Sequence, residues 1–362
     1  MALSVGIVGL PNVGKSTLFN ALLEKQQALA ANYPFATIEP NVGIVPVPDK
    51  QLPQLAECVQ AKKIVPATIE FVDIAGLVAG AAEGAGLGNK FLANIRETSF
   101  ILHVVRAFSD GNIIKEGSVD PLSDYETIAT ELQLADMATL EKQREPKGNQ
   151  VTPDNTHRWN TVQKWRESLN SGNNIRALEL TEEERLLAKE LALLTAKEEI
   201  VALNVAETDL VNARAISAEY SKILNLPEEA IVVISAKLEE ELSGLDTAER
   251  AEYLTELGVD QSGLERLIQK AYTTLGLQSF YTAGEIEARA WTIHQGTTAP
   301  QAAGVIHTDF EKFFIKAKVC SFGDFISLGG WKPAAEAGKI RQEGKEYILQ
   351  PDDVVEFMIG TK

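Results

Sequence analysis

The sequence predicts an α/β protein built on a parallel sheet, interrupted by a long helical stretch and followed by a small α+β unit. Three observations carry that prediction. Short apolar runs of buried-strand character recur at residues 4–8, 68–72, 100–105, 199–204 and 230–234, and such runs suit parallel strands covered on both faces. Between the third and fourth of them, residues 125–198 carry their apolar side chains at helical spacing. Beyond about Leu277 the alternation stops, and residues 289–293 and 353–357 read as strands of a separate fold, with a short helix starting at 308–311.

The first strand leads directly into Gly9-Leu10-Pro11-Asn12-Val13-Gly14-Lys15-Ser16-Thr17 and then into the helical run Leu18-Phe19-Asn20-Ala21-Leu22. In that strand, turn and helix context, G-x-x-x-x-G-K-[ST] is a phosphate-binding loop. Its glycines let backbone N–H groups of residues such as Asn12, Val13, Gly14, Ser16 and Thr17 wrap phosphates, and the helix N-terminus adds partial positive charge. Lys15 is expected to reach the β and γ phosphates and the Ser16 hydroxyl to bind Mg²⁺. A glycine turn that bound nothing would not require a lysine followed by a hydroxyl.

Residues 32–41 contain two prolines and read as an irregular loop in which Thr37 is placed to turn towards Mg²⁺ and the γ phosphate. The run Thr68-Ile69-Glu70-Phe71-Val72-Asp73-Ile74-Ala75-Gly76 ends in D-x-x-G. Asp73 suits a carboxylate holding Mg²⁺ through water, and Gly76 a backbone N–H that approaches the γ phosphate. The glycine-dense stretch that follows, with Gly80, Gly84, Gly86 and Gly88, suits a segment that orders on nucleotide binding. His103, inside an apolar run, reads as a packed core residue.

In the helical stretch, Ile128, Leu132, Ala135 and Leu140 share one face, Glu145-Pro146-Lys147-Gly148 breaks the pattern, and a loop runs through Asn155. A helix resumes at residues 159–169. Thr181 with Glu184 reads as a capping box opening a helix through Leu186, Leu187, Leu191 and Leu194. The two later strands end at Asn204-Val205-Ala206-Glu207 and Ser235-Ala236-Lys237. Ligands of such sheets sit at the carboxyl ends of the strands, so these are the expected base-recognition residues: Asn204, Val205, Glu207, Ser235 and Ala236.

Composition sets limits. With 362 residues, 45% hydrophobic and 23% charged, the chain is an ordinary globular one, long enough for two or three domains. It enters a strand at once, with no basic and apolar leader, and no stretch nears the roughly twenty apolar residues of a membrane span. A cytoplasmic protein without membrane contact is expected. Cys58 and Cys320 lie far apart and near no histidine cluster, so neither disulfide nor zinc chemistry is suggested. The net charge of −17 argues against coating nucleic acid through bulk electrostatics. Any RNA contact must use a local basic face, for which Lys312, Lys316, Lys318, Lys332, Lys339, Arg341 and Lys345 are available; lysines scattered for solubility are the alternative.

Together the phosphate loop, N-Y-P-F-x-T-I-E-P-N, F-V-D-I-A-G-L-V, G-L-G-N-K-F-L-A-N-I-R-E and T-A-P-Q-A-A-G-V-I-H-T-D-F-E resemble the YchF family, the Obg-like ATPases, over essentially the whole chain. The resemblance implies a Ras-like nucleotide domain in two parts, residues 1–124 and 199–277, and a helical coiled-coil insertion at 125–198. It also implies a C-terminal TGS domain of ubiquitin-like β-grasp shape at 278–362, and association with the ribosome, chiefly the large subunit. A monomer is expected.

GTPases of this fold carry N-K-x-D, whose aspartate accepts hydrogen bonds from N1–H and the N2 amino group of guanine. Here Val205 stands at the lysine position and Glu207 at the aspartate position. The longer side chain shifts the carboxylate and the lysine stem over the base is gone, so guanine discrimination weakens. The family accordingly hydrolyses ATP and often also binds GTP. Leu77 follows D-x-x-G where many GTPases have a water-orienting glutamine, so slow intrinsic turnover is expected. Asn12 matches the phosphate-loop asparagine with which relatives bind a potassium ion beside the phosphates. The chain departs from the family at Asn112-Ile113-Ile114, which is followed by Lys115 where relatives have a histidine, so no catalytic histidine carries over. The readings in competition are a slow Mg²⁺-dependent ATPase that docks on the large subunit, a conventional GTPase of ribosome assembly, and a binding module latched by nucleotide.

Overall fold

The computed structural model describes residues 4–30, 41–74, 86–108 and 120–360. In chain order the elements begin β1 (Ser4–Val8), α1 (Lys15–Ala30), β2 (Val42–Pro46), α2 (Leu52–Cys58), β3 (Ile64–Val65), β4 (Thr68–Asp73), α3 (Gly86–Glu97) and β5 (Phe100–Arg106). A helical stretch follows, with α4 (Pro121–Leu140), α5 (Pro153–Asn170) and α6 (Glu182–Glu190). Next come β6 (Glu199–Asn204), α7 (Ala213–Ile223), β7 (Ile231–Ile234), α8 (Ala236–Ser243), α9 (Thr247–Glu256) and α10 (Gly263–Thr274). The last part holds β8 (Leu277–Ala283), β9 (Ala288–His294), α11 (Ala299–Ile306), α12 (Thr308–Lys312), β10 (Phe314–Ser321), α13 (Phe322–Leu328), α14 (Trp331–Glu336), β11 (Arg341–Glu343) and β12 (Asp353–Ile359). Among the described residues no helix is long and apolar enough to cross a membrane.

Two sheets result. The first has the order β2-β4-β1-β5-β6-β7, with β1 paired in parallel to β4 on one side and β5 on the other. β5, β6 and β7 continue the parallel run. Its central strands are buried throughout, which is why they read as unbroken apolar runs. Because the chain fills the sheet on one side of β1 with β4 and β2 and then crosses to its other side with β5, the carboxyl end of β1 is a switch point, where ligands of such sheets bind.

The described chain divides into two compact units, one formed by Met1–Ile44 with Glu70–Leu267, the other by Val45–Ile69 with Ile268–Lys362. The sequence places residues 45–69 in the first part of the nucleotide domain, whereas the contacts put them with the C-terminal unit. In the structure β3 pairs in parallel with β9, and Tyr281 donates to Asp49 Oδ2 and Gln51 Oε1 at 3.0 and 2.9 Å. The buried side chains of α2, Leu52, Leu55 and Ala56, lie in this unit. A partner more than two hundred residues away leaves no local pattern, so sequence reading could not find it.

The helical stretch also differs in detail. α4 is capped by Asp120, whose side chain accepts from Ser123 N–H. Its Ile128, Leu132 and Ala135 pack on Val8 and Ile101 of the sheet. At its end, through Met137 and Leu140, α4 joins the separate cluster of Val162, Trp165, Leu169, Ile175, Ala188 and Leu193. α5 begins at Pro153, not near Trp159, because Thr152 caps it and proline is tolerated in a first turn. α6 opens with the expected capping box of Thr181 and Glu184 but ends at Glu190, where Ala192 turns to φ 50°.

A buried charged cluster fastens this helical stretch to the sheet. Glu199 of β6 accepts from Arg176 at 2.5 Å and from Tyr125 at 3.1 Å, and lies 3.3 Å from His103 Nδ1. His103 is thus the packed core residue the sequence suggested, 1% exposed and stacked on Tyr125. Burial opposes the Glu199 charge, but Arg176, His103 and Tyr125 outweigh it and hold the carboxyl below the usual glutamate range. Glu199→Ala is expected to destabilise the protein by about 3–5 kcal/mol, because Arg176 would be left charged and unpaired. The contribution of Glu199 is complete above the unfolded glutamate pKa of about 4.3. It is lost as pH falls through the lower folded value. Denaturant titrations of both proteins from neutral to acidic pH check this; a variant as stable as the parent at pH 7 would contradict it. A chain ending at residue 276 is likewise expected to resist proteolysis poorly between residues 45 and 69, since α2 and β3 lose the strands they rest on.

Candidate functional site

The loop between β1 and α1 fixes its shape with residues in left-handed backbone conformations: Asn12 at φ 62° and Gly14 at φ 97°. Asparagine tolerates this region through its short polar side chain. Gly14 is required for a second reason, since a Cβ there would sit 2.2 Å from Asn204 Nδ2. Gly9 is equally constrained, because its Cβ would lie 2.5 Å from the Val104 carbonyl oxygen. The loop is therefore pressed directly against the ends of β5 and β6.

Asn204, the last residue of β6 and 4% exposed, makes that contact specific. Its Nδ2 donates to the Val13 carbonyl at 2.9 Å, while its Oδ1 accepts from Ala236 N–H at 2.9 Å. One side chain so joins the phosphate loop to the turn between β7 and α8, where Ser235 is buried. Three of the sequence-predicted regions, residues 12–17, 204–207 and 235–236, meet here.

Lys15 opens α1 and is 9% exposed. Its ammonium donates to the carbonyls of Gly9 at 2.7 Å and Leu10 at 2.9 Å. An ammonium has three donors, so these bonds aim the side chain back over the loop and leave a third for a ligand. Asp73 ends β4 in register with Ile7 of β1, which puts a carboxylate beside the same loop. Its Oδ1 is buried and has no hydrogen-bond partner among the described residues.

Burial lowers the Lys15 pKa, with Asp73 working against that. Burial likewise raises the Asp73 pKa, with Lys15 working against that. Both groups are thus pushed towards neutrality, a displacement that a charged ligand bound between them would offset. An orphaned carboxylate oxygen and an ammonium with a donor to spare fit a metal-bound phosphate. Ser16 is exposed on the first turn of α1 and Thr17 half-buried beside it. No group of three or more histidine, cysteine or acidic side chains forms a metal cage among the described residues, so a hard cation here would need hydroxyl and phosphate oxygens.

At the other end, Val205 is buried and its N–H donates to Ile234. Glu207 is half-buried, and its Oε1 accepts from the Tyr253 hydroxyl at 3.0 Å. Tyr253 was missed by sequence reading, because a contact between a loop and a helix more than forty residues on has no spacing rule. Thr37, Gly76, Leu77 and the stretch ending in Lys115 lie outside the described residues. Of the basic residues considered for a local face, Lys318 pairs with Glu356, Lys339 with Asp324, and Arg341 with Asp353 and Glu343.

A parallel sheet of this strand order, with a phosphate loop leaving its central strand, defines a P-loop NTPase of Ras-like fold. Comparison with known proteins narrows the class. The family model described as "50S ribosome-binding GTPase" matches residues 4–152, and the model YchF-GTPase_C, described as a protein of unknown function, matches residues 277–360. The "Ribosome-binding ATPase YchF" of Bacillus subtilis (strain 168) is 48% identical over 370 residues, covering 100% of both chains. That of Escherichia coli O157:H7 is 48% identical over 373 residues with the same coverage. The solved structure of the Schizosaccharomyces pombe YchF GTPase superimposes with a TM-score of 0.87 at 35% identity, covering 98% of this chain and 97% of that one. The chain belongs to the YchF family.

Gly14→Ala is expected to weaken nucleotide binding by about tenfold to a hundredfold, because strain of about 1–3 kcal/mol falls on the loop. The Asn204 bond to Val13 is displaced as well. Calorimetric titration of the variant checks this, with an unchanged affinity counting against the described loop as the ligand site.

Proposed function

We propose that this protein is a Mg²⁺-dependent ATPase that hydrolyses ATP, and GTP as a comparable or weaker substrate, to the diphosphate and phosphate. Its nucleotide state governs docking on the large ribosomal subunit, with contact to ribosomal RNA, and through it translation or the stress response. One observation carries the catalytic half: buried Lys15 with two donors spent on loop carbonyls, beside Asp73 with an orphaned oxygen.

In this reading the remaining donor of Lys15 meets the β and γ phosphates, and the backbone of residues 12–17 wraps them. Ser16, Thr37 and Asp73 would hold Mg²⁺, which when bound would neutralise charge developing on the phosphates. The Gly76 N–H approaches the γ phosphate. Asn12 is the residue that would take a potassium ion. With Leu77 unable to orient water, basal turnover is slow, and docking on the ribosome accelerates it.

Base choice rests on Val205 and Glu207 in place of lysine and aspartate, and on the loss of guanine discrimination that follows. The helices at 125–198 act as a coiled-coil insertion. The C-terminal unit acts as a TGS domain, supported by α11 packing its alanines against Phe280, Ile293 and Val355 of one sheet, as a β-grasp requires. The ribosomal part is supported by the relatives' names, since the B. subtilis and E. coli proteins are called ribosome-binding.

Lys15→Ala is expected to abolish hydrolysis and to weaken nucleotide binding severely; turnover at the parent rate would overturn the phosphate-loop assignment. Competition of ATP against GTP by calorimetry, with Mg²⁺ present, is expected to show ATP bound at least as tightly. A GTP preference beyond about tenfold, worth about 1.4 kcal/mol, would favour the GTPase reading instead. Turnover and co-sedimentation with large subunits should rise and fall together, and both should weaken as salt increases.

A further inference from the structure

We infer that Tyr253 is a specificity-determining residue, which holds Glu207 and so biases this site against guanine. The inference deepens the ATPase reading and rests on it for the location of the base. Glu207 occupies the place of the guanine-reading aspartate, two residues beyond the Val205 that lines the same apolar cluster as Leu210, Leu238 and Leu254. Tyr253 packs against that cluster from α9. The start of α9 is firmly set, since Asp246 accepts from Ala248 N–H and Glu249 N–H while Glu249 accepts from Asp246 N–H. The ring therefore has a fixed seat, and its hydroxyl reaches Glu207 Oε1 at 3.0 Å. The bond to Glu207 comes first among the causes that raise the phenol above its usual pKa, so it remains a donor.

A carboxylate reads guanine by accepting from N1–H and the N2 amino group with its two oxygens side by side, which demands a free choice of carboxylate plane. In this chain one oxygen already accepts a phenol proton and the plane is set by Tyr253. Adenine presents one amino donor beside a ring-nitrogen acceptor, so it has no paired donors to lose. The tyrosine thus adds a second obstacle to guanine, beyond the extra methylene of Glu207, at no cost to adenine.

The test titrates the full chain with Mg²⁺·ADP and Mg²⁺·GDP by calorimetry. Tyr253→Phe keeps the ring in its cluster and frees Glu207. GDP affinity is expected to rise about tenfold relative to ADP, the worth of one hydrogen bond. The gain should vanish in Tyr253→Phe with Glu207→Gln. An unchanged ratio in Tyr253→Phe, or a gain that survives without the carboxylate, overturns the inference. Glu207→Gln alone gives a reading independent of any Tyr253 variant. It should change the ratio little, and a tenfold selective loss of GDP would show that the carboxylate reads guanine despite the tyrosine. A parent protein that prefers guanine nucleotides would defeat the ATPase reading, whereas the inference stands or falls on the shift in ratio.

Discussion

The amide of Asn204 is the constraint on which the geometry of the site depends. It sits at the end of a buried strand, spends its donor on the Val13 carbonyl and its acceptor on the Ala236 N–H, and leaves room only for a hydrogen on Gly14. Replacing it with an apolar residue would orphan two buried backbone groups, at about 1–3 kcal/mol each. Because the amide touches both, the β1–α1 loop and the β7–α8 turn are tied to one another. The direction of Lys15 at the head of α1, and the point at which the chain turns towards Glu207, both follow from it.

Two groups of charges in the nucleotide-binding unit contrast with one another. Around Glu199 the groups reinforce one another: burial opposes ionisation, yet Glu199 is held below its usual range and Arg176 above its own. That cluster is complete in itself and serves as a fastening between helices and sheet. Lys15 and Asp73 show the reverse pattern, each displaced towards its neutral form by burial that the other only partly offsets. Asp136 and Glu239, which are held by hydrogen bonds within the fold, are displaced in the same direction by burial, so what sets Lys15 and Asp73 apart is the Asp73 oxygen with no hydrogen-bond partner among the described residues.

Much of this was legible in the sequence because it is local. The phosphate loop, the strand ending in Asp73 and the Thr181 capping box each depend on residues within a few positions of one another, and β1, β5, β6 and β7 fall where the apolar runs lie. What escaped is nonlocal or ambiguous. The apolar face of α4 has a helical period whether it packs on another helix or on the sheet, and only the structure shows Ile128 and Leu132 against Ile101. The hydroxyl of Tyr253 reaching Glu207 obeys no spacing rule. The strands β8 and β10, with half-buried residues among buried ones, lack the clean pattern that marks the parallel strands. Residues 45–69 look like a connection because their partners are written near the other end of the chain.

That last arrangement bears on how the protein is made. Ile64 of β3 pairs with Ala288 of β9, so the ribosome that synthesises this chain must add more than two hundred residues before the pairing can form. At about 5–20 residues per second, the earlier segment waits roughly 10–40 s for its partner. Over that interval β1, α1 and β5 can assemble, while α2 and β3 have nothing to fold upon. Pairings of such sequence separation are slow to close and expose apolar surface meanwhile. The C-terminal unit is therefore a late folding event with an early component, and the nascent chain carries an unfinished loop between its phosphate loop and Asp73 until translation is nearly over.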